Sequence, residues 1–350
     1  MNNKNFEYVD FLRGLAIFLV IINHIPHNDH LINSDTPNLL KYLSLFGTYG
    51  VQLFYLMSAF TLFNSLDNRK EDGFLNFFIR RFFRVAPLLY LGMCLHISYG
   101  FINSEYINFA NIFLNLTFLN NLIPPSNDLV LGGSTIATEM NFYLALPLIY
   151  MFYKKKNILN LLIIIFVIHF ILNKIFKFFE ISQFGSINFY RTIFVQIYIF
   201  ILGILLYQII KQKLSIKQNS LNIMMIICSI IFLAFTSKDQ PQFFYFKNLI
   251  IISNLLFLIS FLIIKFNKYI QNNIIFKLVC SLGKVSFSAY VFHWLVIDLL
   301  KKYFPIFKLY NLQIIMFIFL AVFITYFVSR IGYVYELFFI NIGKKIIKIK

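Results

Sequence analysis

The first apolar stretch of the chain, residues 10–24, reads DFLRGLAIFLVIINH; it begins with Asp10 and carries two further ionisable groups, Arg13 and His24, where a plain membrane anchor carries none. An α-helix turns about 100° per residue, so the spacing of these two residues corresponds to about three full turns. Both side chains therefore point to one helix face, about 16 Å apart along the axis. Because ionisable groups inside a membrane are costly, they mark functional sites. The stretch predicts a membrane helix with a functional face.

Composition places the chain among integral membrane proteins. Of its 350 residues, 59% are hydrophobic and 19% aromatic, and the mean hydropathy is +0.75. These values lie well above those of soluble globular domains. The three cysteines, Cys94, Cys228 and Cys280, lie in or beside apolar runs, which favours neither a disulfide framework nor a metal site. We expect one membrane domain over residues 1–350 and no metal.

Apolar runs long enough to cross a bilayer recur along the chain. They lie near residues 10–26, 46–66, 84–102, 135–153, 157–174, 190–210, 220–236, 245–265, 284–301 and 311–335. The predicted fold is an all-α, polytopic membrane helix bundle with about ten transmembrane helices. Lys and Arg concentrate in alternate connections, such as 67–84 and 265–284. By the positive-inside rule, both termini are expected to be cytoplasmic.

The net charge of +17 follows from this topology and from attraction to anionic lipid, so it does not require a nucleic-acid partner. The longest connection, residues 103–134, contains Glu105 and Asp128 but no Lys or Arg, and we expect it to face outside. Its apolar middle, residues 107–122, predicts a re-entrant or interfacial helix over the bundle.

His24 has two interpretations on sequence alone. It is either a satisfied polar group near the outer end of its helix, with Asp10 and Arg13 as an interfacial pair, or a general base. Histidine suits the second role because its side chain accepts and returns a proton near neutral pH. The helical spacing does not choose between these interpretations.

An arginine cluster precedes the third span. Arg80, Arg81 and Arg84 alternate with aromatic residues in the stretch FFIRRFFRVAP, residues 77–87. Converging guanidinium groups bind phosphate in a bidentate manner. The cluster is therefore either a membrane anchor or a binding site for a phosphorylated ligand.

The fourth span stacks Thr135, Glu139 and Tyr143 on one face, at positions i, i+4 and i+8. A glutamate at this depth is either half of a structural ion pair with an arginine or part of a site. Further polar candidates in apolar spans are Ser58, Ser286, Tyr290 and His293, and Trp294 lies beside the last. Small residues such as Gly47 and Gly50 allow helices to pack closely.

Taken in order, these motifs resemble the acyltransferase-3 family of integral-membrane acyltransferases. The similarity extends over nearly the whole chain. It rests on Arg13 and His24, Gly50 to Phe60, Arg81 to Arg84, Glu139 to Pro147, Ser286 to His293, and Tyr333 to Glu336. The chain departs from the family pattern at Ala59, where glycine is common, and at residues 131–134, where a tryptophan is usual. It resembles the stand-alone form, without a fused esterase-like domain.

The resemblance implies an O-acyltransferase, most often an O-acetyltransferase. It would move an acyl group from cytoplasmic acyl-coenzyme A to a hydroxyl of a cell-surface polysaccharide or a lipid-linked glycan. Acyl-coenzyme A is a co-substrate, and no cofactor is held permanently. The expected location is a bacterial inner (cytoplasmic) membrane.

The resemblance also assigns roles to residues. His24 and Glu139 are the predicted catalytic residues, and His24 either deprotonates the acceptor hydroxyl or first attacks the thioester. Arg81 and Arg84 are expected to hold the phosphates of coenzyme A. Other predicted binding residues are Arg13, Arg80, Ser58, Tyr143, Ser286, Tyr290 and His293. The alternative function is a transporter or flippase for a glycan or lipid-linked intermediate, because polar groups inside a many-helix bundle also suit a permeation path.

Overall fold

The computed structural model describes residues 7–25, 47–68, 73–102, 108–123, 128–155, 191–211, 241–303 and 311–349. All regular secondary structure in these ranges is helical, which confirms the all-α prediction. The helices are α1 Glu7–His24, α2 Gly50–Asp67, α3 Gly73–Ile102, α4 Phe109–Leu116, α5 Gly133–Lys155, α6 Ile193–Lys211, α7 Pro241–Lys265, α8 Asn267–Ile270, α9 Ile274–Lys284, α10 Ser286–Tyr303 and α11 Asn311–Ile349.

Three of the described helices are long and apolar enough to cross a membrane. They are α3, α6 and the 313–348 part of α11, and α9 with α10 adds a fourth if the two count as one span bent by 82°. The count of about ten spans and the cytoplasmic termini stay predictions. The expected fifth and seventh spans, residues 157–174 and 220–236, lie outside the described residues.

Small residues bring the central helices together, as the sequence suggested. A Cβ atom on Gly47 or Gly50 would collide with the backbone of α1, and one on Gly203 of α6 would collide with the backbone of α2. Close backbone approach is the usual way in which membrane helices gain packing contacts. Ala16 and Phe60, both fully buried, lie in the resulting core. These contacts fix α2 between α1 and α6.

Two short helices lie beside the long ones. α4 begins after Asn108, whose side chain accepts a hydrogen bond from the Ala110 amide at 2.8 Å, as an N-cap residue does. It exposes the rings of Phe109 and Phe113, the apolar face that the predicted interfacial helix requires. α9 packs so tightly on α1 that a side chain at Gly283 would collide with the α1 backbone. α9 therefore holds the start of α1 in place.

Candidate active site

A cavity with several polar side chains in its lining lies where α1, α2, α3, α5 and α10 converge. We call it the arginine cavity, after the three guanidinium groups that line it. Its lining consists of Arg13, Phe54, Tyr55, Ser58, Thr61, Arg81, Arg84, Val85, Thr135, Ile136, Glu139, Tyr143, Ser286, Phe287 and Tyr290. Eight of the predicted site residues are therefore together in one place, although they come from five helices far apart in the sequence.

Glu139 is the carboxylate of this cavity. Ser58 donates a hydrogen bond to its Oε1 from α2, and the Tyr143 hydroxyl donates one to the same oxygen at 2.5 Å. Ser58 and Tyr143 are both buried. Thr135, one turn before Glu139, also lines the cavity, so the face that the i, i+4 spacing indicated points inward. Two hydroxyl groups, one of them from another helix, thus hold the carboxylate in a fixed position.

Arg13 is held by α2. Its Nη2 donates a hydrogen bond to the Thr61 hydroxyl at 3.1 Å, and that hydroxyl in turn donates to the backbone oxygens of Met57 and Ser58. The close approach of α1 and α2 at Gly50 makes this contact possible. The long arginine side chain thereby reaches the same helix face that carries Ser58.

Arg81 and Arg84, both on α3, line the cavity. The Arg84 Nε lies 3.5 Å from Glu336 Oε1 on α11. The Arg81 guanidinium lies over the ring of Phe77, 5.5 Å from its centre, in a cation–π arrangement. Arg80 belongs to the same helix but does not line the cavity. The three guanidinium groups of the lining outnumber the two carboxylates beside them, Glu139 in the lining and Glu336 at Arg84, so the charge of the cavity favours an anionic ligand.

A second group of rings adjoins the cavity. We call it the histidine cluster, and it consists of His24 on α1 with His293 and Trp294 on α10. The His24 ring centre lies 5.3 Å from that of His293 and 4.4 Å from that of Trp294. His293 is fully buried, and its Nδ1 lies 2.7 Å from the Tyr290 carbonyl oxygen. The two predicted histidines, His24 and His293, therefore pack against each other, and His24 also packs on Trp294.

Tyr290 joins the two groups. It lines the arginine cavity, and its ring centre lies 5.4 Å from that of His293. Its hydroxyl donates a hydrogen bond to the Gly132 carbonyl oxygen at 3.2 Å. The cavity and the histidine cluster are thus adjacent parts of one site.

The two predicted catalytic residues lie in different parts of this site. Glu139 is held by Ser58 and Tyr143 in the arginine cavity, whereas His24 packs on His293 and Trp294. That Glu139 contacts His24 and orients its imidazole stays a prediction. Of the predicted binding residues, His293 lies in the histidine cluster and Arg80 outside the cavity lining, while the others line the cavity.

A hydrogen-bonded loop contacts Tyr290, one of the residues that line the cavity. Asp128 accepts hydrogen bonds of 2.8 Å from Asn120 and from Ser134, and Arg191 lies 3.6 Å from it. Within this loop Gly132 has a φ of 87°, which non-glycine residues rarely adopt. A Cβ atom on Gly132 would lie 2.7 Å from the Tyr290 hydroxyl. The glycine therefore allows both the turn and the contact with Tyr290.

Sequence reasoning missed Tyr55, Thr61 and the pairing of Glu336. Tyr55 and Thr61 lie three residues before and after Ser58, and residues three apart share a helix face. Applying that spacing to Ser58 would have found both. The contact between Glu336 and Arg84 joins α11 to α3, and no spacing within the sequence indicates it.

Comparisons with known proteins show the family of the chain. Residues 6–331 match the family model described as an acyltransferase domain, Acyl_transf_3, and the chain belongs to this acyltransferase-3 family of membrane proteins. It is also similar to a protein of Acidianus two-tailed virus named "Putative acetyltransferase ORF330". The two are 25% identical over 303 residues, which cover 85% of each chain. No solved structure matches the chain significantly.

Proposed function

We propose that this acyltransferase moves an acyl group, most often acetyl, from cytoplasmic acyl-coenzyme A to a hydroxyl of a cell-surface glycan or of its lipid-linked precursor. The observation that carries the proposal is the continuity of the arginine cavity with the histidine cluster through Tyr290. An anion-binding cavity beside a buried imidazole combines the two things that this reaction needs. The transfer would take place in a bacterial inner membrane.

The arginine cavity supplies the binding site for the acyl donor. Coenzyme A is strongly anionic, and guanidinium groups bind phosphate through paired, charge-assisted hydrogen bonds. Arg81 and Arg84 approach from the N-terminal half of α3, which the positive-inside rule assigns to the cytoplasmic side. Arg13 extends the positive charge toward Glu139. The lining therefore favours a phosphorylated donor with its thioester directed into the bundle.

The histidine cluster supplies the group that acts on the acyl carbon or on the acceptor hydroxyl. His24 lies about 16 Å along α1 from Arg13, toward the end of the helix that is expected to face the acceptor. A hydroxyl is a poor nucleophile until a base accepts its proton. His24 either accepts that proton or attacks the thioester first. Both routes end with the acyl group on the acceptor oxygen.

The decisive experiment measures transfer in membranes that contain the full-length protein. Isotopically labelled acetyl-coenzyme A is added, and acetyl groups on the glycan fraction are detected by mass spectrometry. We expect label in that fraction with the wild-type protein and none with His24→Ala, although the variant inserts into the membrane normally. Labelled glycan at the wild-type level in His24→Ala would remove His24 from the mechanism. No transfer to any fraction by the wild-type protein would contradict the proposed function.

A further inference from the structure

His293 has a lone pair on Nε2 for which the proposed function gives no use. Its Nδ1 lies 2.7 Å from the Tyr290 carbonyl oxygen. A carbonyl oxygen only accepts hydrogen bonds, so Nδ1 must carry the ring proton. In the neutral ring Nε2 is then an unprotonated acceptor. Among the described residues this atom has no hydrogen-bond partner, although the side chain is fully buried.

A buried polar atom without a partner costs free energy, and such atoms in native structures call for an explanation. The Nδ1 contact turns one edge of the ring back to the backbone of α10, so the Nε2 edge points away from that backbone. The ring centre of His24 lies 5.3 Å away. The unused lone pair thus belongs to a ring that packs on the predicted catalytic histidine.

The other ring packed on His24, that of Trp294, and the nearby Tyr290 are not suited to accept a proton from a substrate. The Trp294 indole nitrogen only donates hydrogen bonds. The Tyr290 hydroxyl, next to His293, donates to the Gly132 carbonyl oxygen. Of the rings that contact His24 in the described part of the chain, His293 alone therefore has a lone pair suited to a base.

We propose that His293 is a second catalytic base, which acts while His24 carries the acyl group as a covalent intermediate. This inference rests on the proposed acyltransferase function. An acylated imidazole has spent the nitrogen that attacked the thioester, and the acyl group makes its remaining nitrogen a much weaker base. His24 is then the acyl carrier, and another group serves as the base. His293 is the adjacent base, and it is kept unprotonated on Nε2 for this purpose.

The two half-reactions balance without any further reactant. In the first, a His24 nitrogen bonds to the thioester carbonyl carbon, the C–S bond breaks, and the proton released from the imidazole goes to the coenzyme A thiolate. In the second, the acceptor oxygen bonds to the acyl carbon and its proton passes to His293 Nε2. The C–N bond to His24 breaks with its electron pair left on the His24 ring, and that ring then takes the proton from His293.

The test separates the half-reactions in the purified full-length protein. The enzyme is labelled with radioactive acetyl-coenzyme A, excess coenzyme is removed, and loss of label is followed in buffer and in buffer with hydroxylamine. Water needs a base to attack the acyl group, whereas hydroxylamine is nucleophilic enough without one. In His293→Gln we expect the protein to be labelled at the wild-type rate. Loss of the label to water should be slower by about 100-fold, which is the low end of the contribution of a positioned base. Loss of the label to hydroxylamine should be unchanged.

His96→Gln is the matched control. His96 also has its Nδ1 on a backbone carbonyl oxygen of its own helix, that of Gly92 at 2.9 Å, and an Nε2 without a partner among the described residues. It lies on α3, within electrostatic reach of His293 but not among the rings packed on His24, and glutamine keeps a neutral side chain there. We expect the wild-type rate of loss to water in this variant.

Three results would overturn the inference. The first is transfer by the wild-type enzyme without any label on the protein, which leaves the proposed function intact but removes the intermediate. The second is loss of label to water at the wild-type rate in His293→Gln. The third is an equal slowing of loss to hydroxylamine, or of the labelling step itself, which would assign His293 a structural role. Absence of all transfer contradicts the proposed function instead.

Discussion

The arginine cavity and the histidine cluster adjoin each other, yet their polar side chains differ in how completely they are hydrogen-bonded. In the cavity, Glu139 is bound by two hydroxyl groups, Arg13 by Thr61, and Arg84 by Glu336. In the cluster, the Nε2 of His293 is enclosed without a hydrogen-bond partner in the described part of the chain. Under the proposed roles, the Glu139 carboxylate and two of the three guanidinium groups of the donor site are fixed by neighbours, whereas the histidine that would take a proton keeps its lone pair available. We therefore expect the two α3 arginines of the cavity to govern the KM for the acyl donor, and Glu139 and the histidine cluster to govern kcat.

The largest effect on binding is expected from replacing both arginines of α3. In Arg81→Ala with Arg84→Ala, two charge-assisted hydrogen-bonding groups are lost, each worth about 1.5–3 kcal/mol. The apparent KM for acetyl-coenzyme A should rise by about 100-fold or more, and kcat should change far less. Steady-state kinetics at varied donor concentration measures both constants.

The control for this pair is Lys344→Ala with Lys345→Ala, which removes the same charge from exposed positions on α11. The control should keep the wild-type KM for acetyl-coenzyme A. An equal rise in both double variants would show that overall charge, rather than the cavity, governs donor binding.

A smaller effect, on turnover, is expected from Glu139→Gln. The amide keeps the size of the side chain and one oxygen that accepts the hydrogen bonds of Ser58 and Tyr143, but it removes the negative charge. We expect kcat to fall by about tenfold, or about 1.4 kcal/mol, because the charge near the reacting groups changes. The KM for acetyl-coenzyme A should stay the same or fall, since the cavity becomes more positive. A raised KM with unchanged kcat would instead make Glu139 part of the donor-binding surface.

The smallest effect is expected from Gly132→Ala, at the junction of the two regions. A Cβ atom there would meet the Tyr290 hydroxyl, and φ is 87°. Gly73→Ala is the matched control, because its φ is 67° and nothing lies within 4 Å of the added atom. The positive φ costs both variants about 1–2 kcal/mol. Thermal unfolding in detergent should show a larger fall in Tm for Gly132→Ala, and equal falls would mean that the Tyr290 contact is unimportant.

Much of the site could be predicted from the sequence because it depends on local periodicity. Arg13 and His24 share a face of α1, and Thr135, Glu139 and Tyr143 share a face of α5, since helical spacing fixes directions within one helix. The small residues Gly47 and Gly50 likewise predicted close packing against a neighbour. The arginines of α3 were recognised from their spacing and from the chemistry of phosphate binding.

The pairing of these faces could not be predicted in the same way. Glu139 accepts hydrogen bonds from Ser58 and Tyr143, and His24 packs on His293 and Trp294. Tyr143 lies on the same helix as Glu139, whereas each of the other contacts joins two helices. The rotation and depth of one helix against another depend on side-chain packing over the whole bundle. The spacing within either helix carries no such information.

By itself, the sequence determined that the chain is an all-helical membrane protein of the acyltransferase-3 family, and which residues stand on the polar face of each helix. Composition and periodicity are local properties, so they can be read along the chain. Only the tertiary structure divided those residues into an arginine cavity and a histidine cluster joined by Tyr290. It also left His293 with a buried, unused lone pair, because its surroundings come from helices that meet only in the folded bundle.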